Sequence, residues 1–412
     1  PGWLRNRIRD DEWETVLNGP ISKKRVHGWL VPAVKWLGPT VQRVARLIVE
    51  LMVSHAMTAE RFKRYLRIAI EKAVRGTYRH IAAADDWFAV SANLKYKRLL
   101  PVLRAVMLCQ VLAYLPDCGA ADANAIRQAV REDAQQAVMA GISAPLAMIA
   151  SDYEKYFDSI TLDFLIWCLL LLGAPQHLID WCAEDYHGNW FWVATIEGHT
   201  RLAYQGDGTR QGNTMSCAIC NIVNAAITKV LIALDVYYEM QFQVSGREIA
   251  AAIMGFNYCD DLEAYLRGVS GLRTFLDTLS VISINGRLGV HPGKTVLSFE
   301  AIEGEVVEVD FAVTLWRRDA EDIEHCVILR DDIDHKTGEP WPEHHLLAKS
   351  CGFQSVVGPD NRRAQSELNH HRIGAQLNKV QRLRASKMET ETVVYAWLMG
   401  AAGFDTSGCM SA

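Results

Sequence analysis

Three aspartates have the residue type and the surroundings for metal-dependent chemistry. Asp260 and Asp261 stand side by side in residues 255–263, GFNYCDDLE, between apolar flanks that predict two strands joined by a turn. Asp152 follows another apolar, strand-like run at 145–150, more than one hundred residues earlier. Like charges repel, and a buried ion costs on the order of several kcal/mol unless something neutralises it. Converging carboxylates without a local lysine or arginine select a hard cation such as Mg²⁺ or Mn²⁺.

Two such ions, held about 4 Å apart, are the apparatus of in-line phosphoryl transfer, in which the protein supplies positioning and charge. From the residues alone an alternative stays open. Asp152 could cap a helix, and the pair could form an ordinary hairpin turn, where aspartate is common. The two interpretations differ in whether the fold brings Asp152 to the pair, as a split β-α-β arrangement with adjacent strands would do.

The pattern along the middle of the chain predicts the elements that must position these aspartates. We expect helices at 162–172, 214–234 and 271–281, a hairpin at 190–204, and strands at 249–256 and 262–266. Strands and helices mix without strict alternation, which indicates an α+β fold with an antiparallel sheet and helices on one face. Residues 1–110 look mostly helical, with an amphipathic stretch at 41–79, and a further helix is expected at 122–140.

The composition is that of an ordinary globular protein, because half of the residues are hydrophobic and 22% are charged. The longest apolar run, 164–172, is too short for a bilayer, which takes about 20 residues, so we expect no membrane partner. No signal peptide is visible, and the chain begins at Pro1, so we take it as a fragment of a longer product. Among the ten cysteines, Cys217 and Cys220 form a lone C-x-x-C, which favours packed thiols over zinc or redox use.

The distribution of charge indicates a polyanionic partner more than the net charge of −5 does. Residues 1–110 hold 20 Lys and Arg against 9 Asp and Glu, and residues 360–387 hold 7 against 2. Basic ends around an acidic centre suit a protein that grips nucleic acid and carries out metal chemistry between the grips. Solvated helix faces with a chance asymmetry would give the same counts. A scaffold protein without a nucleic-acid role would show no salt-dependent binding to an RNA–DNA hybrid.

Five short motifs, in order along residues 118–400, resemble those of reverse transcriptases. Residues 151–160, SDYEKYFDSI, resemble the first catalytic motif, especially the D-Y-x-K-A-F-D form of non-LTR (LINE-type) retrotransposons. Residues 208–216, GTRQGNTMS, resemble G-x-R-Q-G-x-x-x-S, and residues 258–261, YCDD, resemble Y-x-D-D. Residues 287–295, RLGVHPGKT, are similar to G-L-x-x-N-x-x-K-T, and residues 353–358, FQSVVG, to the F-x-x-L-G element that grips the primer end.

The resemblance implies a right-hand polymerase with an antiparallel-sheet palm, helical fingers and a partial thumb. The expected divisions are fingers at 1–145, palm at 146–316, an acidic insertion at 317–347, and primer grip with partial thumb at 348–412. The activity it implies is RNA-directed DNA polymerisation, with an RNA template, a DNA primer, dNTPs and two Mg²⁺ or Mn²⁺ ions. An intracellular location follows, nuclear in a eukaryotic host. The resemblance leaves the oligomeric state open.

The resemblance also implies roles residue by residue. Asp152 and Asp260 would ligate both ions, with Asp261 as the accessory acid and the Tyr153 backbone carbonyl assisting. Phe157 would lie under the incoming sugar and exclude a 2′-hydroxyl, which favours deoxynucleotides. The other implied contacts to nucleotide, template, primer and triphosphate are Gln211, Gly212, Arg210, Tyr258, Phe353, Gly358 and Lys294. Arg210 stands where other reverse transcriptase classes have proline, which supports the non-LTR assignment.

Departures from the family pattern keep two further hypotheses open. Cys217 replaces a usual proline, and Arg287 and His291 replace the usual Gly and Asn. A decayed copy that binds nucleic acid without turnover is therefore a second hypothesis, and an RNA-synthesising polymerase, which Phe157 argues against, is a third. The basic motif that holds the triphosphate in the fingers does not align. Its candidates are Lys95, Lys97, Arg98 and Arg104.

Overall fold

The computed structural model describes the N-terminal three quarters of the chain in detail. The described residues are 2–18, 31–71, 78–106, 111, 113, 119–143, 145–195, 197–244, 247–290, 295–300 and 307, with short strands at 314–316, 325–327, 333–334, 339–340, 346–350 and 353–357. The helices are α1 Asp10–Leu17, α2 Pro39–Ser54, α3 Asp86–Val106, α4 Ala120–Met139, α5 Tyr156–Ser159, α6 Leu162–Leu171, α7 Gln176–Tyr186, α8 Thr214–Ile232 and α9 Gly268–Gly286, with 3-10 turns at Gly2–Arg5, Val31–Trp36 and Glu60–Lys63.

The strands are β1 Arg64–Glu71, β2 Tyr78–Ala84, β3 Leu146–Asp152, β4 Trp190–Thr195, β5 Gly198–His199, β6 Ala203–Tyr204, β7 Tyr238–Val244, β8 Arg247–Ile253, β9 Gly255–Tyr258, β10 Asp261–Arg267, β11 Val296–Glu300, β12 Thr314–Trp316, β13 His325–Val327, β14 Ile333–Asp334, β15 Glu339–Pro340, β16 Leu346–Ser350 and β17 Phe353–Val357.

A four-stranded sheet in the order β11-β3-β10-β9 lies at the centre, and all of its neighbours are antiparallel. β3 is paired on both sides and its first six residues are buried, which explains its continuous apolar run. Helices and antiparallel sheet together confirm the predicted α+β class. The expected adjacency of the Asp152 strand and the strand that follows the aspartate pair is observed as β3 beside β10.

Helices cover both faces of the central sheet, so the prediction of helices on one face is wrong. Ala147 and Ile149 of β3 join the main core with α3, α6, α8 and α9. Leu146 and Met148, which alternate with them, join a second core with α4. Side chains of successive strand residues point to opposite faces, and α4 covers the second face as a result. A buried ion pair between Arg127 and Glu263, 2.7 Å apart, locks α4 onto β10.

Helix α8 is the centre of the main core. It is long and apolar enough to cross a membrane by length and composition, but most of that stretch is buried against other elements. Residues of α3, α6 and α9 pack around it. A helix that is apolar on all sides is typical of the core of a large protein as well as of a membrane span. The helix begins at its N-cap, Asn213, whose side chain accepts a hydrogen bond from the Met215 N–H.

A second sheet, in the order β2-β1-β4-β5 with β6 on β4, joins residues before and after position 145. β1 and β2 form an antiparallel hairpin, and β1 runs parallel to β4. The prediction of a helical pattern over 41–79 therefore holds for α2 and is wrong for the residues of β1 and β2. The β-branched and aromatic residues in that stretch favour strands. The amphipathic spacing of apolar and basic residues had indicated a helix instead.

The next predictions concern the strand expected at 249–256, the insertion at 317–347 and the basic helix at 361–385. The strand expected at 249–256 is two strands, because β8 ends at Ile253 and β9 begins at Gly255. β8 pairs with β7 in a long hairpin of its own. The predicted insertion at 317–347 contains short paired strands, β13 to β15. The basic helix expected at 361–385 lies outside the described residues.

Candidate active site

The three aspartates meet at one edge of the central sheet. Asp152 is the last residue of β3 and lies directly opposite Asp261, the first residue of β10. Asp260 occupies the turn, and its carbonyl oxygen accepts a hydrogen bond of 3.1 Å from the Tyr153 N–H. All three are half-buried. The sheet therefore brings together acids that lie more than one hundred residues apart, as the metal-binding interpretation of the sequence requires.

The turn that presents Asp260 is short and strained. Tyr258 pairs with Asp261, so only Cys259 and Asp260 lie between the paired residues. Cys259 has φ 61°, in the left-handed region that side chains other than glycine avoid. Such a conformation costs on the order of 1–3 kcal/mol and persists only where the surroundings enforce it. The enforcing contact comes from α8, where the Asn224 Nδ2 donates a 2.9 Å hydrogen bond to the Cys259 carbonyl.

Phe157 lies at the junction between the first and second motifs. Its backbone carbonyl accepts a hydrogen bond of 2.7 Å from the Thr209 N–H, and Gly208 N–H donates to Ile160 O at 3.1 Å. Gly208 has φ +82°, and a Cβ at this position would lie 2.6 Å from the Asp158 Cα. The ring of Phe157 is half-buried and meets Tyr156 edge-on at 6.3 Å. The two hydrogen bonds and the close approach at Gly208 thus fix the position of α5, the short helix that carries Phe157, relative to this loop.

Arg210 points into the protein rather than toward solvent. The side chain is 3% exposed, and its guanidinium stacks 3.9 Å from the Phe88 ring centroid. It also donates to the carbonyl of Lys63 and to Asn189 Oδ1. Burial lowers the pKa of Arg210 to about 10, so the side chain is still charged at neutral pH. In this structure Arg210 supports the loop from inside and offers no exposed cation to template or primer.

Gln211 and Gly212 dock against the edge strand β2. The Ala82 N–H donates a 2.8 Å hydrogen bond to the Gln211 carbonyl. Gly212, at φ +105°, leaves only 3.1 Å between a would-be Cβ and Ile81 Cγ2. Residues 78–84, YRHIAAA, show no regular alternation of apolar and polar residues, so this strand could not be predicted from periodicity. Arg79 is exposed and two residues before Ile81, so it lies on the same face of β2.

The structure removes two of the four candidate triphosphate contacts. Lys95 is 1% exposed and lies 3.6 Å from the buried Asp185 carboxylate. Arg98 is also buried, and it donates to Glu12 at 2.8 Å and to the Leu4 carbonyl at 2.9 Å. Lys95 therefore ties α3 to α7, and Arg98 ties α3 to the N-terminal residues. Lys97 and Arg104 are exposed.

The remaining predicted site residues lie in different surroundings, and two of them lie outside the described residues. The Tyr153 ring is buried and stacks on Tyr156 with centroids 5.2 Å apart, and this burial raises the pKa of its hydroxyl. Only its backbone is therefore at the acidic edge. Tyr258 is half-buried at the end of β9. Phe353 begins β17, whose partner strand β16 contacts β3 and β10. Lys294 and Gly358 lie outside the described residues.

The donor set fits a hard divalent cation by type. Three carboxylates and a backbone carbonyl at one sheet edge are the oxygen ligands that Mg²⁺ and Mn²⁺ take. In the part of the chain that the structure describes, no three His, Cys, Asp or Glu side chains are already gathered closely enough to hold a metal ion. A divalent cation would offset the mutual repulsion of these carboxylates. The sheet register brings the backbone positions of the three aspartates together at one edge.

One buried network was missed by the sequence reasoning. The Tyr156 hydroxyl donates to Asn224 Oδ1 at 2.5 Å, and Asn224 in turn donates to Cys259 O. Farther along α8, Thr228 accepts a 2.7 Å hydrogen bond from the Asn257 side chain. The signal was present in the sequence, since polar residues at helical spacing inside an otherwise apolar helix need buried partners.

A family model and several solved structures are similar to this chain. The family model described as reverse transcriptase (RNA-dependent DNA polymerase) matches residues 70–321. Apo telomerase of Candida tropicalis, truncated from its C-terminal domain, is 13% identical, with 67% of this chain and 63% of that chain covered and a TM-score of 0.43. Telomerase of the same organism in complex with a TWJ fragment of telomeric RNA is 14% identical, covering 65% and 50%, with a TM-score of 0.41.

Telomerase of Candida albicans in complex with such a fragment is 12% identical, covering 58% and 42%, with a TM-score of 0.39. The chain spans less than two thirds of the length of each of these structures. No curated protein matches the chain. The fold and the acidic edge define a polymerase-type palm. Because the family model covers more than half of the chain, the chain belongs to the reverse transcriptase family.

Proposed function

We propose that this chain is an RNA-directed DNA polymerase of a non-LTR retroelement, which transfers nucleotides to a primer 3′-hydroxyl. The observation that carries the proposal is the register of Asp152 against Asp261, with Asp260 in the intervening turn. Phe157, five residues after Asp152 and hydrogen-bonded through its carbonyl to the loop of the second motif, supports the preference for dNTPs. The motif form of residues 151–160 and Arg210 supports the non-LTR type.

In this proposal the acidic edge binds two Mg²⁺ or Mn²⁺ ions. Asp152, Asp260, Asp261 and the Tyr153 carbonyl would hold them. When bound, the ions activate the attacking hydroxyl and neutralise charge on the triphosphate. The chain itself orients its carboxylates through the sheet register and limits the space under the sugar with Phe157.

Other residues would contact the nucleic acids and the triphosphate. Gln211 and Gly212 would contact the template near the nascent pair, as the family resemblance implies, and their loop is held in place by β2. Tyr258, Phe353 and Gly358 would lie along the primer. The cations proposed near the triphosphate are Lys294 and, from its face of β2, Arg79. The partners are an RNA template, a DNA primer and dNTPs inside the cell, in the nucleus for a eukaryotic host.

Primer extension tests this function. Purified protein with Mg²⁺ or Mn²⁺ should extend a DNA primer on an RNA template with dNTPs, and Asp260→Asn should abolish extension without loss of fold. Phe157→Ala should admit rNTPs, since it opens the space for a 2′-hydroxyl. Salt-dependent binding to the hybrid without incorporation by the folded wild type would instead support the decayed copy. A wild type that prefers rNTPs would support an RNA polymerase.

A further inference from the structure

The two carbonyl groups that flank Asp260 are both held by groups outside its turn. The Asp260 carbonyl is bound by the Tyr153 N–H at 3.1 Å, and the Cys259 carbonyl by Asn224 at 2.9 Å. The Cys259–Asp260 peptide plane sets where the Asp260 Cα–Cβ bond points, because the peptide is rigid and only φ and ψ can turn. The direction of this carboxylate therefore depends on Asn224.

The amide of Asn224 is itself oriented. Its Oδ1 accepts the Tyr156 hydroxyl at 2.5 Å, which leaves Nδ2 to donate to Cys259. Asn224 is 0% exposed, Tyr156 2% and Cys259 6%, so water does not compete for these bonds. A buried chain of this kind rigidifies the groups it joins when all its members are satisfied.

We infer that Asn224 is a positioning residue for nucleotidyl transfer, which holds Asp260 in its metal-binding direction and is in turn oriented by Tyr156. The inference rests on the proposed function. Tyr156 lies in the same segment as Asp152, and Asn224 lies in the helix that follows the Gln211–Gly212 loop. The hydrogen-bond chain thus links the segment of the first motif to the turn of the third motif through α8.

The strain at Cys259 explains why such a contact is needed. A residue other than glycine at φ 61° relaxes when the contact that enforces it is removed. With the Cys259 carbonyl released, the turn would reach other conformations, in which Asp260 no longer faces Asp152. Mg²⁺ demands near-ideal octahedral geometry. We therefore expect release of the turn to lower kcat more with Mg²⁺ than with the larger Mn²⁺.

The test compares Asn224→Leu, Tyr156→Phe and the double variant with Asn221→Ala. Asn221 lies on the same helix, is equally buried, and donates one 2.8 Å hydrogen bond to Ala113 O, away from the turn. We expect Asn224→Leu to lower kcat with Mg²⁺ by about 10- to 100-fold, the range found when groups that orient metal ligands are removed. KM for dNTP should stay within about twofold, and the loss should shrink in Mn²⁺.

Tyr156→Phe should lower kcat less, and it should add nothing in the Asn224→Leu background, because the hydroxyl acts through the amide. Mn²⁺ titration followed by electron paramagnetic resonance gives a readout independent of turnover. Asn224→Leu should weaken Mn²⁺ binding about tenfold, and Asn221→Ala should leave it unchanged.

Equal losses for Asn224→Leu and Asn221→Ala, in both ions, would overturn the inference, as would additive effects of the two network variants. If Asn224→Leu does not fold, Tyr156→Phe decides by the same comparison. An inert wild type refutes the proposed function, and the Mn²⁺ titration then still decides whether Asn224 orients Asp260.

Discussion

Gly208→Ala should uncouple the loop of the second motif from the helix that carries Phe157. The new Cβ would lie 2.6 Å from Asp158 Cα, 2.7 Å from its carbonyl oxygen and 2.8 Å from its carbonyl carbon. These are backbone atoms, so no side chain can rotate away. Ordinary contact begins at about 3.4 Å, so the two segments must separate by most of an ångström. The φ of +82° adds further strain for alanine.

The cost can be worked out from three contributions. The left-handed conformation costs roughly 1–2 kcal/mol for alanine. The separation stretches the Gly208–Ile160 and Thr209–Phe157 hydrogen bonds, each worth about 0.5–1.5 kcal/mol net. Together they destabilise the fold by about 2–5 kcal/mol, a large part of the 5–15 kcal/mol typical of domains. A displacement of about 1 Å near reacting groups costs on the order of 100-fold in rate.

Gly206→Ala is the matched control. Its added Cβ meets no atom within 4 Å, and Gly206 has no positive φ. Urea unfolding measures the stability difference, and primer extension measures the rate under conditions where both variants are folded. Should Gly208→Ala match Gly206→Ala in both unfolding midpoint and kcat, the reasoning that the loop sets the position of Phe157 would be refuted.

Three other predictions concern charged groups. Arg127→Ala leaves Glu263 buried without its cation, so it should destabilise the fold by about 3–5 kcal/mol in urea unfolding; a loss below about 1 kcal/mol would contradict a buried ion pair. Lys95→Met should lower the melting temperature and leave KM for dNTP unchanged, because Lys95 lies against Asp185 in the interior. Arg79→Ala should raise KM for dNTP without lowering the melting temperature. If Lys95→Met instead raised KM and left the melting temperature unchanged, Lys95 would again be a candidate for the triphosphate site.

The central part of the fold could be predicted because its patterns are local. β3, α6 and α8 are bounded by clear apolar runs, and Thr161 caps α6 through the Phe164 N–H as its residue type indicates. The adjacency of Asp152 to the pair followed from the split β-α-β pattern. The β1–β2 hairpin could not be predicted in the same way, since its pairing with β4 is set by tertiary contact.

The roles of cations were the least predictable from sequence. A lysine or arginine in sequence gives its charge and not its depth. Arg210 and Arg98 look like nucleic-acid contacts, yet both are buried. Arg210 donates to the Lys63 carbonyl and to Asn189, and Arg98 donates to Glu12 and to backbone carbonyls. Their partners lie far away along the chain, so no local pattern reveals them. For Asn224 the apolar surroundings in α8 signalled a buried polar partner, but the sequence does not identify that partner as Cys259.

The strand order β11-β3-β10-β9 also has a consequence for how the chain folds. β3 must wait for β10 and β11, which are made more than one hundred residues later during synthesis. Pairing over such separations is slow, because the entropy of closing the loop is lost before the contacts form. Until then α9 and the central sheet do not complete the core around α8. The acidic edge is therefore completed late in folding, and a ribosome-bound chain that ends before β10 leaves part of this apolar core exposed, which favours aggregation.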